Sequence, residues 1–71
     1  MISVTAYDKT GQDICYGRNV VDGKEAPEAV AEENARRLAA DYISRRPESG
    51  PIEAWTFKQD ACDRQVFQRS P

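Results

Sequence analysis

The sequence predicts an α+β domain of β-β-α-β-β order: a four-stranded antiparallel sheet with one helix packed across one face. Three observations carry that prediction. Two alternating runs flank a glycine turn near the start, in "ISVTAYDKTGQDICYG". A long stretch with apolar residues at helical spacing follows, bounded by Pro27 and Pro47. A further alternating run, "AWTFK", opens the last quarter. The organisation expected is a single domain over 1–71, with hairpins at about 2–21 and 52–69 and a helix at about 26–46.

In the first run, Ile2, Val4 and Ala6 alternate with Ser3, Thr5 and Tyr7, the period-2 pattern of a half-buried strand. "DKTG" supplies a type I turn with Gly11 in the left-handed conformation, closing a bulged hairpin. If Asp8 opposes Gln12, Ala6 opposes Ile14 and Val4 opposes Tyr16. The core face then carries Ile2, Val4, Ala6, Ile14 and Tyr16, and the other face Ser3, Thr5, Tyr7, Cys15 and Gly17.

The chain leaves this hairpin through Asp22-Gly23 and enters a helix for which Pro27 suits the first position. Glu28, Glu32 and Glu33 sit where the helix dipole favours negative charge, although no Ser, Thr, Asp or Asn stands directly before Pro27 as a cap. Pro47 ends the helix. Glu32–Arg36, Glu33–Arg37 and Asp41–Arg45 are spaced as acid-first pairs one turn apart. Ala31, Ala35, Leu38, Ala39, Tyr42 and Ile43 form one stripe, alanine-rich enough to seat the helix close to a sheet.

In the last run Trp55 and Phe57 point to one side. A four-residue loop over 60–63, with Asp60 and Asp63 as turn formers, sets Gln59 opposite Arg64, Phe57 opposite Val66 and Trp55 opposite Gln68. That register leaves Phe67 on the other face with Thr56, Lys58 and Arg69; a five-residue loop would bring Phe67 to join Trp55 and Phe57, and the shorter loop is preferred. With short connections, the strand order becomes 2-1-3-4.

Val, Ile, Leu and Phe make up only 12 of the 71 residues, which is below the usual level for a stable globule. The net charge of −2 and the clear periodicity still argue for a folded domain, with a thin core that a partner or a second copy would supplement. Such a core needs its aromatics. Ile2, Val4, Ile14, Tyr16, Leu38, Tyr42, Trp55, Phe57 and Val66 are the core expected. Trp55 and Phe57 belong there because burying each contributes about 1.5–3 kcal/mol.

The same inventory excludes much chemistry. There is no histidine, so Ser-His and Cys-His catalysis and the usual Cys/His zinc spacings are out. Cys15 and Cys62 lie far apart and read as free thiols rather than a disulfide. The acidic residues are explained by turns, ion pairs and the helix dipole, and neither "DGKE" nor "TGQD" resembles a phosphate loop. No catalytic, metal or cofactor site is expected. No apolar run is long enough for a membrane span, and the default location is the cytoplasm.

What remains is the sheet face away from the helix, with Tyr7, Thr56, Lys58, Phe67 and Arg69 as the interaction surface expected and Thr5 and Cys15 beside them. The leading expectation is a non-enzymatic protein-binding module, a stoichiometric regulator or inhibitor of a larger protein or complex. Small acidic domains of mobile elements fit that description, though no motif ties this chain to them. Homodimerisation through the open face, or pairing through the less protected edge of the second strand, is a further route to a complex. The alternative is nucleic-acid binding by the same face and the basic residues of the last hairpin, including Arg64. The absence of any basic excess and of an RNP-type aromatic motif weighs against it.

Overall fold

The computed structural model describes residues 1–60. Within them the chain forms an α+β domain with one helix lying on a three-stranded antiparallel sheet. Strands β1 (Ser3–Tyr7) and β2 (Asp13–Arg18) form the first hairpin; β3 (Val20–Val21) and β4 (Lys24–Glu25) form a small separate ribbon. Helix α1 spans Ala29–Arg45, two 3₁₀ turns follow at Pro47–Ser49 and Ile52–Ala54, and β5 (Thr56–Asp60) returns to the sheet. The sheet order is β2-β1-β5, antiparallel throughout. The fourth strand of the sequence reading, with Val66, Phe67 and Arg69, and Cys62 in the loop before it lie outside the described residues.

The first turn is built as its sequence demands. The Asp8 carboxylate accepts bonds from the Thr10 hydroxyl at 2.6 Å and from the Thr10 and Gln12 main-chain N–H groups at 2.9 and 3.1 Å. Gly11 takes φ +90°, and the Asp8 N–H donates to the Gln12 carbonyl. One residue further, the register departs from expectation. Tyr7 still pairs with Asp13, but Ala6 pairs with Cys15 and Val4 with Gly17, because a bulge absorbs Ile14.

That slip exchanges the faces of β2. Gly17 and Cys15 point toward the helix, and Tyr16, expected in the core, stands on the open face and is 50% exposed. The helix decides which register wins. A Cβ on Gly17 would lie 2.3 Å from the Ala35 nitrogen and 2.7 Å from the Ala31 carbonyl oxygen, so only glycine fits beneath α1.

Helix α1 buries Ala31, Ala35 and Ala39, one residue per turn, directly over the hairpin. Because that narrow ridge is seated on β2, Leu38 overhangs the sheet edge and is 46% exposed rather than part of the core. The helix begins at Ala29, with Glu28 capping it by backbone alone, and Arg46 closes it against the Tyr42 and Ile43 carbonyls.

Among the described residues the core is two small clusters: Val4 with Ala31 and Ala35, flanked by Ile2 and Phe57, and Ala6 with Ala39 and Trp55, flanked by Ile14, Cys15, Tyr42, Ile43, Ile52 and Phe57. Trp55 is 6% exposed, meets Tyr42 edge-to-face at 5.9 Å, and donates its indole N–H to the Ser49 carbonyl at 2.7 Å. That anchor and the 3₁₀ turn before it delay the strand to Thr56, whereas the sequence placed its hairpin from about residue 52. β5 in turn runs through Asp60, which had been assigned to a loop.

The hairpin expected to reach residue 21 ends instead at Arg18, where Asn19 diverts the chain. Asn19 is buried; its Oδ1 accepts the Ile2 N–H at 2.8 Å and its Nδ2 donates to the Ala26 carbonyl. Asp22 and Gly23, at φ +54° and +79°, turn the β3–β4 ribbon that follows.

Candidate protein-interaction surface

The strand parity that sends Val4, Ala6, Cys15, Gly17 and Phe57 toward α1 sends Thr5, Tyr7, Tyr16, Arg18, Thr56 and Lys58 to the opposite, open face. Across it, Tyr16, Thr5 and Lys58 stand in one row and Tyr7 and Thr56 in the next.

Among the described residues two aromatic–cation pairs set the chemistry of this face. Lys58 Nζ lies 5.5 Å from the Tyr7 ring centroid. The Arg18 guanidinium lies 5.3 Å from the Tyr16 centroid, and its Nη2 donates to the Tyr16 hydroxyl at 3.1 Å. Each exposed pair is worth about 0.5–1 kcal/mol, enough to hold long side chains flat against the sheet. Among the described residues the result is a surface of π faces, hydroxyls and two cations.

Of the sequence-expected surface, Tyr7, Thr56 and Lys58 come together here, whereas Phe67 and Arg69 lie outside the described residues. Cys15, expected on this face, belongs to the helix side; it is half-buried, and burial pushes its thiol above its ordinary value. Tyr16 and Arg18 are the functional candidates that sequence reasoning missed. The signal was present in Gly17: a glycine in a strand interior marks close backbone approach. Placing it beneath the alanine ridge forces its neighbours Tyr16 and Arg18 outward.

The basic residues of the helix divide between duties. Arg36 pairs with Glu32 at 2.8 Å and covers the Phe57 ring at 4.3 Å, and Arg45 pairs with Asp41 at 2.9 Å. Arg46 lies over Tyr42 at 5.3 Å. Among the described residues Arg37 makes no ion pair with Glu33, although the spacing allows one.

Among the described residues no helix is long and apolar enough to cross a membrane. Comparison with protein-family models, with curated proteins and with solved structures returned no match for this chain.

Proposed function

We propose that this chain is a small, non-enzymatic protein-binding module, acting stoichiometrically in the cytoplasm as a regulator or inhibitor of a larger protein or complex. One observation carries the reading: the open sheet face presents Tyr7, Tyr16 and Arg18 with Lys58, while Trp55 is sealed on the other side. Tyrosine and arginine are the residues enriched at the energetic centres of protein interfaces, because they combine large contact area with hydrogen bonding. In this reading the C-terminal segment completes the sheet as a fourth strand beside β5 and adds Phe67 and Arg69 to the same surface.

The partner face is complementary in charge, an acidic surface offering a carboxylate to Lys58. A second copy suits it less well, because it offers the same Lys58-bearing face in return rather than a complementary one. Single-stranded nucleic acid is the second reading, since Tyr7 and Tyr16 could stack bases. It is disfavoured by the net charge of −2 and because both rings are already covered by their own cations.

The experiment is capture of partners from the native cell at moderate salt, using the intact chain and its Tyr7→Asp and Arg18→Glu/Lys58→Glu variants. The expected result is a salt-tolerant protein complex lost in both variants while Trp55 emission stays unchanged. Recovery of nucleic acid instead, with affinity falling steeply as salt rises, or recovery of the same proteins by all three forms, would overturn the proposal.

A further inference from the structure

The rest of the sheet fixes where the main chain of β5 points. The Asn19 N–H donates to the Ile2 carbonyl, so Ile2 and Val4 turn their polar groups toward β2. Ser3, Thr5 and Tyr7 therefore turn theirs toward β5, where they meet Asp60, Lys58 and Thr56. By the same alternation the N–H and C=O groups of Phe57 and Gln59 point outward from the sheet edge. Among the described residues no strand pairs with them.

The side chains of these two residues lie on the helix side of the sheet. With Val4 they form one wall of an open groove whose other wall is Glu28, Ala29 and Glu32 at the start of α1. Its apolar end is Phe57, which flanks the cluster of Val4, Ala31 and Ala35. Glu32 is committed to Arg36 at 2.8 Å, and the Arg36 guanidinium lies over the Phe57 ring at 4.3 Å. Glu28 caps the helix by backbone alone and, among the described residues, takes part in no ion pair.

Residues 61–71 follow directly from the end of β5. Asp60 faces β1, so outward pairing of β5 stops at Gln59. A four-residue turn over 60–63 then sets Arg64 against Gln59 and Val66 against Phe57, both with side chains over the groove. A five-residue turn would set Gln65 there instead and leave Glu28 without a cation. A segment tethered this closely acts at an effective concentration of about millimolar, which favours it over a separate partner.

We propose that residues 64–66 close this groove. Arg64 with Gln59 and Val66 with Phe57 exchange main-chain hydrogen bonds along the outer edge of β5. Val66 packs on Phe57 and Val4, and Arg64 gives its guanidinium to Glu28. The inference rests on the fourth strand of the reading above but not on what the open face binds. A second copy enters the groove only by exchanging the same segment, and a separate basic peptide only by displacing it.

The test is amide hydrogen exchange of the intact chain, followed residue by residue by NMR at two protein concentrations. The Phe57 and Gln59 amides are expected to exchange about tenfold or more slower than unpaired amides, equally at both concentrations. The Val66 methyl groups should show contacts with the Phe57 ring. Val66→Pro, which removes a donor from the ladder, should release the Phe57 amide while the Lys58 amide, directed at β1, stays protected. Glu28→Lys and Arg64→Glu should each lower protection at Gln59 by about two- to fivefold, and the two together should restore it. Tyr7→Asp leaves both amides protected, so loss of the open-face complex and opening of the groove are read separately. Freely exchanging Phe57 and Gln59 amides, or protection that grows with protein concentration, would overturn the proposal. So would ring contacts from Phe67 in place of Val66, or no recovery in the charge-swapped pair.

Discussion

Gly17 sets the distance between sheet and helix. A methyl group there would meet the main chain of Ala31, Asn34 and Ala35 at 2.7, 2.8 and 2.3 Å, and main chain cannot swing aside as a side chain can. Gly17→Ala is therefore expected to cost about 3 kcal/mol, the upper end of the overpacking range, in urea unfolding followed by Trp55 fluorescence. A change below about 0.5 kcal/mol would show that α1 is not seated there. Asp8 acts through the turn. Its bond from the Thr10 hydroxyl, chiefly, with those from the Gln12, Thr10 and Gly11 N–H groups, holds its carboxyl below the ordinary 3.8 against a smaller opposing effect of desolvation. The unfolded chain then binds this proton more readily than the folded one, so the contribution is complete above pH 3.8 and is lost as pH falls through the lowered value. Asp8→Asn should flatten the acid limb of stability in that window and lower stability at neutral pH, where the contribution of the carboxylate is complete. An unchanged acid limb in a pH series of unfolding curves would refute the assignment.

At the scale of elements, the segment between α1 and β5 is held by one residue. Trp55 fills the space under Ala39, abuts Tyr42 and donates to Ser49, which ties the two 3₁₀ turns to the end of the helix. Its emission should be blue-shifted and protected from iodide. Trp55→Ala should cost about 3–5 kcal/mol, comparable to the whole stability of a domain this small, and so leave the chain largely unfolded by circular dichroism. Trp55→Phe keeps most of the apolar area, loses the bond to the Ser49 carbonyl, and should cost only about 1–2 kcal/mol. Normal iodide quenching of the native monomer would remove the basis for both figures. The helix itself was legible from Pro27, Pro47 and the apolar stripe, but which part of that stripe touches the sheet was not. Helical periodicity assigns Leu38 to the stripe as readily as Ala35 and Ala39. The ridge one residue per turn, Ala31–Ala35–Ala39, is selected because only small side chains permit contact at Gly17.

For the molecule as a whole, a core without a single large, fully buried side chain among the described residues stands on a face left open. Stability and binding should therefore separate cleanly. Tyr7 and Lys58 lie on the side away from α1, and Tyr7→Asp is expected to change unfolding free energy by no more than about 1 kcal/mol while removing the partner complex. A variant that unfolds, or one that still captures the complex, contradicts that separation. The candidate surface was half legible in advance. Tyr7, Thr56 and Lys58 follow from alternation along two strands, which local pattern fixes. Tyr16 and Arg18 do not, because a one-residue bulge reverses every side chain beyond it, and the bulge has no signature in the alternation itself.

The sequence alone determined the α+β class, the Asp8–Gly11 turn, the limits of the helix to within a few residues and the need to bury Trp55. Each depends on chemistry local to a few neighbouring positions or on the scarcity of large apolar side chains. The tertiary structure alone decided the register of β2, the exposure of Tyr16 and Leu38, and the bracing of Asn19 between Ile2 and Ala26. These depend on how closely one backbone approaches another, a distance set by Gly17 and the alanines above it, which no periodicity along the chain encodes.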